Sequence, residues 1–282
     1  MSKNKIAIYG ATGWLGQMTI SYLMEFKKEC DLTLISSDGR KILVNNKEFK
    51  TYTMNDFLNL NPKEFDYYLN YAFLTQDKIS LMKDSEYLKK TDEIIKKEEE
   101  FYSKNTIQKA LLISSGAVYW KNTDKENLYT IQKLNQENNF KEINNNFQTD
   151  YIVARIFSVL GNHFDLNSKY AFVSFVKNAL INKSIFIESE MRVLRSYLYF
   201  DSLLKYFFET KDKNIILDAW NETLDIADLA KMIASIYKVP LKINDKYIES
   251  KEVDSYVSND HYFQKKIGLS IKEDLLKKIL LD

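Results

Sequence analysis

The segment that decides the fold runs from Lys5 to Phe26 and reads KIAIYGATGWLGQMTISYLMEF. Its first five residues, Lys5–Tyr9, form a short β-branched and aromatic run that predicts a buried strand. After the turn, QMTISYLMEF spaces its apolar side chains with the period of a helix. Between the two, Gly10, Gly13 and Gly16 follow the pattern GxxGxxG. A strand, a glycine turn and a helix in this order predict the start of a parallel α/β fold.

The chain continues this alternation of apolar strands and helices. Further strands are predicted at Leu32–Ile35, Phe65–Phe73, Lys109–Ser114 and Tyr151–Leu160. A solvated helix is predicted at Ser85–Tyr102, a second helix at Tyr129–Glu137, a helix end running into a loop at Asn135–Asn146, and an amphipathic helix at Ser270–Leu281. We therefore expect an α/β fold, a doubly wound parallel Rossmann sheet with a smaller C-terminal α/β region. The expected domains are a dinucleotide-binding domain of residues 1–162 with a return segment near 192–212, and a substrate-binding region of 163–191 and 213–282.

Composition and charge exclude several classes of protein. The 282 residues carry a formal net charge of +1, which gives no electrostatic reason to expect a nucleic acid or an anionic membrane as partner. A single cysteine, Cys30, and two distant histidines, His163 and His261, predict neither a disulfide framework nor a metal site. No apolar run is long enough for a membrane span or a signal peptide. We expect a cytoplasmic protein.

The spacing of the glycine turn has a chemical cause. A nucleotide pyrophosphate must approach the backbone where the helix opens, and a Cβ atom there would obstruct it. The turn therefore predicts a dinucleotide site. Its members are Gly10, Thr12, Gly13, Trp14, Leu15 and Gly16, although Trp14 could equally serve packing.

The residues after the second strand bear on the choice between NADP and NAD. A carboxylate at this point accepts hydrogen bonds from the ribose of NAD, whereas small polar residues and a cation suit the phosphate of NADP. Ser36 stands at the expected carboxylate position and Arg40 follows it. This arrangement favours NADP. In the alternative, Asp38 takes the carboxylate role, Arg40 faces water, and the cofactor is NAD.

A candidate catalytic segment follows the strand that ends in Ser114 and Ser115. Tyr129 and Lys133 are four residues apart and share one helical face. The same spacing occurs in Tyr247/Lys251 and Tyr262/Lys266, so it carries little weight alone. Tyr129 is selected because it follows a buried strand ending in serine, on the side of the sheet where the cofactor should lie.

At this point the sequence resembles the extended short-chain dehydrogenase/reductase family, the NAD(P)-dependent nucleotide-sugar epimerase, dehydratase and reductase group. The resemblance covers nearly the whole chain. It rests on segments that occur in the family's order: Gly10–Gly16, Asp66–Phe73, Ser114–Tyr119, Tyr129–Glu137, Tyr151–Gly161, Arg195–Asp201 and Thr223–Ala230. The chain departs from the family pattern at Trp120, Thr130 and Ser158.

The resemblance implies a Ser/Tyr/Lys site with physically reasonable chemistry. A free tyrosine has a pKa of about 10, and a neighbouring ammonium such as that of Lys133 favours the phenolate. Tyr129 can then exchange a proton with a carbonyl oxygen during hydride transfer, while the Ser115 hydroxyl stabilises charge on that oxygen. Lys133 is also expected to hold the nicotinamide ribose.

The resemblance further implies residues around the cofactor and the substrate. Asn70, Ala72 and Phe73 fall in the family's strand segment that lies against the cofactor, and Arg195 falls at a position that binds a nucleotide diphosphate. The expected substrate is a nucleotide-diphosphate sugar. A homodimer is expected by analogy with the family.

Three activities remain open from the sequence. A 4,6-dehydratase is disfavoured because Gly116 and Ala117 occupy the positions of its acid and base. The NADP interpretation favours a reductase, and its expected substrate is the C4 keto group of a nucleotide-linked deoxy sugar. The alternatives are an NAD-dependent 4-epimerase and a catalytically silent dinucleotide-binding sensor.

Overall fold

The computed structural model describes residues 3–26 and 29–281. The chain divides into two compact units, the first of residues 1–155 and 207–217 and the second of residues 156–206 and 218–282. Up to Arg155 the elements are β1 (Asn4–Tyr9), α1 (Trp14–Phe26), β2 (Cys30–Ser36), β3 (Ile42–Val44), β4 (Lys47–Phe49), β5 (Tyr52–Thr53), α2 (Met54–Leu58), β6 (Glu64–Asn70), α3 (Asp84–Lys104), β7 (Thr106–Ser115), α4 (Leu128–Asn146) and β8 (Asp150–Ile156). Short 3₁₀ turns occupy Gln76–Leu81 and Gly116–Trp120.

The remaining elements follow in chain order. They are β9 (Ser158–Leu160), α5 (Ala171–Ile181), β10 (Ile185–Ile187), β11 (Arg192–Tyr199), α6 (Phe200–Glu209), β12 (Ile215–Ala219), β13 (Glu222–Asp225), α7 (Ile226–Tyr237), β14 (Leu241–Ile243), α8 (Asp245–Glu249), β15 (Val253–Tyr256), α9 (Tyr262–Ile267) and α10 (Glu273–Leu281).

The central sheet has seven strands in the order β5-β2-β1-β6-β7-β8-β12. Strand β1 pairs in parallel with β2 on one side and with β6 on the other, and β6 pairs in parallel with β7. Ile6, Ala7 and Ile8 of β1 are fully buried, as expected for a strand that helices cover on both faces. This arrangement confirms the predicted doubly wound α/β fold.

The strand order reverses direction between β1 and β6. From β1 the chain proceeds outward to β2 and β5, then returns to β6 and proceeds outward to β7 and β8 on the other side. In open α/β sheets, ligands bind in the crevice that opens at such a switch point, beyond the carboxyl ends of the strands. The residues that follow β1 and β6 therefore locate the candidate site.

Three predicted elements differ from the observed ones. The strand predicted to reach Phe73 ends at Asn70. The loop predicted within Asn135–Asn146 is wrong, because α4 continues to Asn146 and buries Phe140, Ile143 and Asn144. The predicted strand Tyr151–Leu160 is divided into β8 and β9, and β9 pairs with β11 in a different sheet.

The second unit is built around β11. This strand pairs antiparallel with β13 and parallel with β15 and β9, while β10 and β14 form a separate parallel pair. Helix α7 begins at an Asp225 cap, whose side chain accepts a hydrogen bond from the Ala227 N–H, and buries Leu229 and Ile233. The predicted C-terminal helix is present as α10.

The boundaries of the two units differ from the predicted domains. The first unit ends at Arg155 rather than at residue 162, and its return segment is 207–217 rather than 192–212. The reason is that β11, which forms the start of the predicted return segment, pairs with strands of the second unit's sheet. Within residues 3–26 and 29–281, no helix combines the length and apolar character that a membrane crossing requires.

Candidate active site

Close backbone contacts leave no room for a side chain at two of the three glycines of the turn. Gly10 has a φ of +88°, and a Cβ atom there would lie 2.9 Å from the backbone nitrogen of Ala72. A Cβ atom on Gly16 would lie 2.5 Å from the carbonyl oxygen of Gly10. Gly13 is exposed, and its nearest such contact is 3.3 Å. The packing of the turn therefore explains Gly10 and Gly16, whereas Gly13 provides the exposed backbone that an anion can approach.

Helix α1 begins directly after this turn, at Trp14. The first N–H groups of a helix have no intrahelical acceptor and attract anions. The first turn of α1 contains no acidic side chain. The Thr12 carbonyl accepts from the Gln17 side chain, and the Leu15 carbonyl accepts from the Thr19 hydroxyl, so both residues stabilise the start of the helix through their backbones. The turn and the helix start together fit a dinucleotide pyrophosphate.

The loop after β2 buries one of the two residues on which the NADP prediction rests and exposes the other. Ser36 is buried, and its hydroxyl lies 2.8 Å from the Thr51 hydroxyl and accepts a hydrogen bond from the Gly39 N–H at 2.9 Å. The Arg40 side chain is 62% exposed and its Nε lies 3.7 Å from Asp38 Oδ2. Ser36 therefore builds the loop, while Asp38 and Arg40 present a carboxylate and a guanidinium at the surface.

The segment after β6 connects the glycine turn with the catalytic helix. Asn70 is fully buried, and its Oδ1 accepts a hydrogen bond from the Ala72 N–H at 2.9 Å. The Ala72 backbone lies against Gly10, as described above. The next residue, Phe73, places its ring centroid 5.9 Å from that of Tyr129. Asn70 thus shapes the segment, and Ala72 and Phe73 are the residues that face the predicted site.

Ser115 is the last residue of β7 and is almost fully buried. Its hydroxyl accepts a hydrogen bond from the Ala117 N–H at 3.2 Å, which starts the 3₁₀ turn Gly116–Trp120. Thr130, one of the departures from the family pattern, donates its hydroxyl to the Ala117 carbonyl at 3.2 Å. This hydrogen bond connects the turn after Ser115 to the helix that carries Tyr129.

Helix α4 begins at an Asn127 cap, whose side chain accepts a hydrogen bond from the Thr130 N–H. Tyr129 lies in the first turn of this helix and is half-buried. Lys133 lies one turn later, and its ammonium nitrogen is 4.0 Å from the centroid of the Phe73 ring. Phe73 therefore contacts both members of the predicted Tyr/Lys pair, next to the glycine turn.

Lys133 is only 5% exposed, and its ammonium donates hydrogen bonds inside the protein. It donates to the carbonyl oxygen of Ile113 at 3.0 Å and to Gln136 Oε1 at 2.9 Å. Burial lowers the pKa of Lys133 from 10.5 to about 7, although the carboxylates of Glu137 and Glu98 oppose this shift. The proton of Lys133 is therefore exchangeable close to neutral pH.

Glu137 and Arg155 form a bidentate ion pair behind Lys133. Glu137 is buried, and the Arg155 guanidinium donates to its two oxygens at 2.9 and 2.6 Å. Arg155 also donates to the Tyr119 hydroxyl at 3.1 Å. Such a paired geometry satisfies both charges and fixes the end of β8 against α4.

The second unit holds the predicted diphosphate-binding residue, Arg195. Its guanidinium donates to Asp254 Oδ2 at 2.6 Å and to the backbone carbonyls of Leu194 and Asp254, both at 2.9 Å. The side chain is 22% exposed. The partner Asp254 lies 59 residues away along the chain, and no spacing rule indicates it in the sequence.

Two residues near Lys133 were not identified from the sequence. Glu98 on α3 and Gln136 on α4 are both buried. Glu98 has a sequence signal, because the positions Tyr87, Thr91, Ile94, Glu98 and Phe101 alternate spacings of four and three and so define one helical face. The interpretation of this helix as solvated overlooked that face. Gln136 follows Lys133 by three residues, a spacing at which helical side chains can meet.

Comparisons with known proteins identify a family and a fold for this chain. The family model of the NAD dependent epimerase/dehydratase family matches residues 6–210. A comparison with curated proteins found no match.

Many solved structures share the fold. The UDP-N-acetylglucosamine 4-epimerase of Methanobrevibacter ruminantium, solved with UDP-N-acetylmuramic acid, is 20% identical with a TM-score of 0.73, covering 99% of this chain and 96% of that one. The UDP-glucuronic acid 4-epimerase of Bacillus cereus, solved with UDP-glucuronic acid and NAD, is 17% identical with a TM-score of 0.66, covering 98% of each chain. An NAD-dependent NDP-hexosamine 5,6-dehydratase of tunicamycin biosynthesis is 12% identical with a TM-score of 0.66, covering 99% and 97%. Since the family model covers well over half of the sequence, the chain belongs to the NAD dependent epimerase/dehydratase family.

Proposed function

We propose that this protein is an oxidoreductase of nucleotide sugars, with Ser115, Tyr129 and Lys133 as its catalytic residues. The observation that carries the proposal is the position of Phe73. Its ring contacts Tyr129 and Lys133, and its neighbour Ala72 lies against the glycine turn at Gly10. The predicted acid–base pair and the predicted pyrophosphate turn are therefore adjacent within one unit.

The three side chains have distinct roles in the proposed reaction. A bound nicotinamide dinucleotide supplies the hydride acceptor and donor. Tyr129 takes the proton from a sugar hydroxyl as that carbon is oxidised, and returns it when the carbon is reduced. Ser115 donates its hydroxyl to the same oxygen and stabilises the charge that develops there. Lys133, when protonated, favours the phenolate form of Tyr129.

The residues around the glycine turn fit a dinucleotide, and those after β2 favour NAD over the NADP expected from sequence. The Ser36 hydroxyl is buried in contacts with Thr51 and Gly39, so it is not presented to a phosphate. Asp38 is half-exposed and can accept hydrogen bonds from ribose hydroxyls. To bind the 2′-phosphate of NADP, the Arg40 guanidinium would have to leave Asp38 and pair with the phosphate instead. The exposed Arg40 keeps NADP as the second candidate.

The choice of NAD favours a 4-epimerase over a reductase. An epimerase oxidises and re-reduces one carbon, so its dinucleotide is regenerated in each turnover and can stay bound. Two of the structurally similar proteins described above are UDP-sugar 4-epimerases, one of them solved with NAD. The reductase, which consumes NADPH to reduce a 4-keto nucleotide sugar, is the second candidate and rests on the exposed Arg40.

The nucleotide-sugar substrate is part of this proposal. We assign the second unit to substrate binding and Arg195 to the diphosphate, for which the phosphate would replace Asp254 as partner of the guanidinium. The homodimer implied by the family resemblance remains a prediction.

One experiment separates the candidate activities. The purified protein is incubated with UDP-glucose, UDP-N-acetylglucosamine or UDP-glucuronic acid and NAD, and in parallel with 4-keto nucleotide sugars and NADPH. Inversion at C4 without net consumption of dinucleotide supports the epimerase, and stoichiometric oxidation of NADPH supports the reductase. Dinucleotide binding without turnover of any of these sugars contradicts the enzymatic proposal and supports the sensor.

A further inference from the structure

Glu98 is a buried carboxylic acid in the middle of α3 that no step of the proposed reaction uses. Its side chain is fully buried among the aromatic residues Tyr9, Tyr68 and Tyr102. Burial raises the pKa of Glu98 from 4.5 to about 7, opposed by the hydrogen bond from Asn70 and by the charge of Lys133. The molecule therefore retains an ionisable group at the centre of its first unit.

Four hydrogen bonds connect Glu98 with Lys133 by way of the backbone of Ala72. Glu98 Oε1 accepts from Asn70 Nδ2 at 2.6 Å, and Asn70 Oδ1 accepts from the Ala72 N–H at 2.9 Å. The Ala72 carbonyl accepts from Gln136 Nε2 at 3.2 Å, and Gln136 Oε1 accepts from Lys133 Nζ at 2.9 Å. The side-chain amides of Asn70 and Gln136 each donate one of these hydrogen bonds and accept another. Their oxygen and nitrogen positions are therefore determined.

The fold alone does not require a carboxyl group at this position. Desolvating a carboxyl group costs free energy that an apolar side chain of similar volume does not incur. An apolar side chain cannot accept the hydrogen bond that the Asn70 amide donates. Asn70 in turn orients the segment that carries Phe73.

We propose that Glu98 is a positioning residue for Lys133, acting through Asn70, the backbone of Ala72 and Gln136. This inference rests on the proposed function, because Lys133 is the partner of Tyr129 there. Glu98 holds Asn70, and Asn70 fixes the backbone at the Ala72 N–H. The fixed backbone places the Phe73 ring over the Lys133 ammonium, and the Ala72 carbonyl holds Gln136, which accepts from Lys133. Without Glu98, Lys133 can leave the Phe73 ring for water.

Two substitutions of Glu98 separate positioning from charge. Glu98→Gln removes the charge but keeps an oxygen that accepts from Asn70, whereas Glu98→Met removes both. Glu99→Met is the matched control, because Glu99 is the exposed neighbour on the same helix. The charged and titratable groups that act on Glu98 or Lys133 are Glu99, Glu137, Tyr9, Tyr68 and Tyr102, and of these only Glu99 is changed, in the control variant.

The first measurement is the titration of Lys133 in the free protein, followed by NMR of lysine labelled with carbon-13 at Cε and assigned with Lys133→Met. Loss of the Glu98 charge alone lowers the pKa of Lys133, so the Glu98→Gln variant should titrate at or below the wild-type value. Loss of position exposes the ammonium, so the Glu98→Met variant should titrate at a higher pH, toward 10.5. Equal titration in the two variants overturns the proposal.

The second measurement is the kcat on whichever nucleotide sugar the wild type converts, with the dinucleotide Kd measured alongside. Glu98→Met should lower kcat about tenfold, the effect of one lost hydrogen bond, while Glu98→Gln and Glu99→Met stay within about twofold of the wild type. A purely structural role would lower the thermal stability of Glu98→Met and leave its kcat unchanged, which also overturns the proposal.

A second position keeps the test decisive if Glu98→Met does not fold. Gln136→Met interrupts the same series beside Lys133 and should reproduce the rise in the Lys133 pKa and the loss of kcat. In the double variant the two effects should not add, because both act through one series of bonds. Additive effects would contradict the proposal that both residues act through this one series of hydrogen bonds. If the wild type converts no sugar, the proposed function fails, while the titration of Lys133 still decides the role of Glu98.

Discussion

Replacing Lys133 with methionine should change how the stability of the protein depends on pH. The methionine side chain keeps most of the volume and removes the ammonium that lies under Phe73 and donates to Ile113 and Gln136. In the wild type, burial holds the pKa of Lys133 at about 7, whereas in the unfolded chain it returns to about 10.5. Between these two values the unfolded chain binds one proton more than the folded protein does.

This difference gives the sign and the size of the effect. Lowering the pH from 10.5 to 7 favours the unfolded chain, so the wild type loses unfolding free energy over that window. Below pH 7, Lys133 causes no further loss of stability. Each pKa unit corresponds to about 1.4 kcal/mol, so the wild type should lose about 3 kcal/mol of unfolding free energy between pH 9.5 and pH 7 that Lys133→Met does not lose. This window lies above pH 7, where the titration of Glu98 changes the unfolding free energy least.

The assay is urea unfolding at several pH values between 7 and 9.5, with the unfolding free energy extrapolated to water. The control is Lys89→Met, because Lys89 is exposed on α3 and its ammonium stays hydrated on folding. The curves for wild type and Lys89→Met should run parallel, and the Lys133→Met curve should diverge from both. A Lys133→Met curve parallel to the wild type would refute a buried ammonium at this site, and with it the geometry of the Tyr/Lys pair.

Three further predictions concern the turn, the cofactor and the catalytic acid. Tyr129→Phe should lower turnover by about 10²–10⁴-fold with unchanged dinucleotide affinity, measured by product formation and calorimetry; a wild-type rate would exclude Tyr129 as the proton donor. Gly16→Ala should cost about 1–3 kcal/mol in thermal unfolding because its Cβ meets the Gly10 carbonyl, whereas Gly13→Ala should fold normally and weaken dinucleotide binding. Arg40→Ala should weaken NADP binding far more than NAD binding; equal losses for the two dinucleotides would show that Arg40 does not read the 2′ position.

The elements that were predictable from the sequence are those whose signal is local. The run Ile6–Tyr9 is apolar because β1 lies in the middle of the sheet. Gly10 and Gly16 are required by contacts within the turn and with the segment that follows β6. The same holds for the strand that ends at Ser115 and for the spacing of Tyr129 and Lys133. Each of these features depends on short stretches of chain, which a sequence displays directly.

The elements that were missed depend on contacts between distant parts of the chain. The asparagine-rich stretch up to Asn146 is helical because Phe140 and Ile143 are buried and because the Asn144 side chain accepts from the Tyr102 hydroxyl, 42 residues away. The low helix propensity of asparagine favours a loop, and tertiary packing overrides it. Similarly, Asp254 as the partner of Arg195 becomes evident only when β15 is paired with β11.

The proposed preference for NAD over NADP also rests on a contact between residues that are apart in the sequence. Ser36 and Arg40 stand at the positions expected for an NADP site, and this is all that the sequence displays. Thr51, fifteen residues further on, binds the Ser36 hydroxyl and removes it from the surface. A residue type at a given position therefore indicates a function only when the packing leaves its polar group accessible.

The account depends most directly on hydride transfer at a sugar carbon with Tyr129 as the proton carrier. The measurement that tests this is the conversion of a UDP-sugar carrying deuterium at C4, in ordinary water, by the wild type and by Tyr129→Phe. The account predicts an epimerised product that retains the deuterium at C4, and conversion by Tyr129→Phe that is slower by about 10²-fold or more. A product that has exchanged its deuterium with water, or a Tyr129→Phe variant that converts the sugar at the wild-type rate, would contradict it.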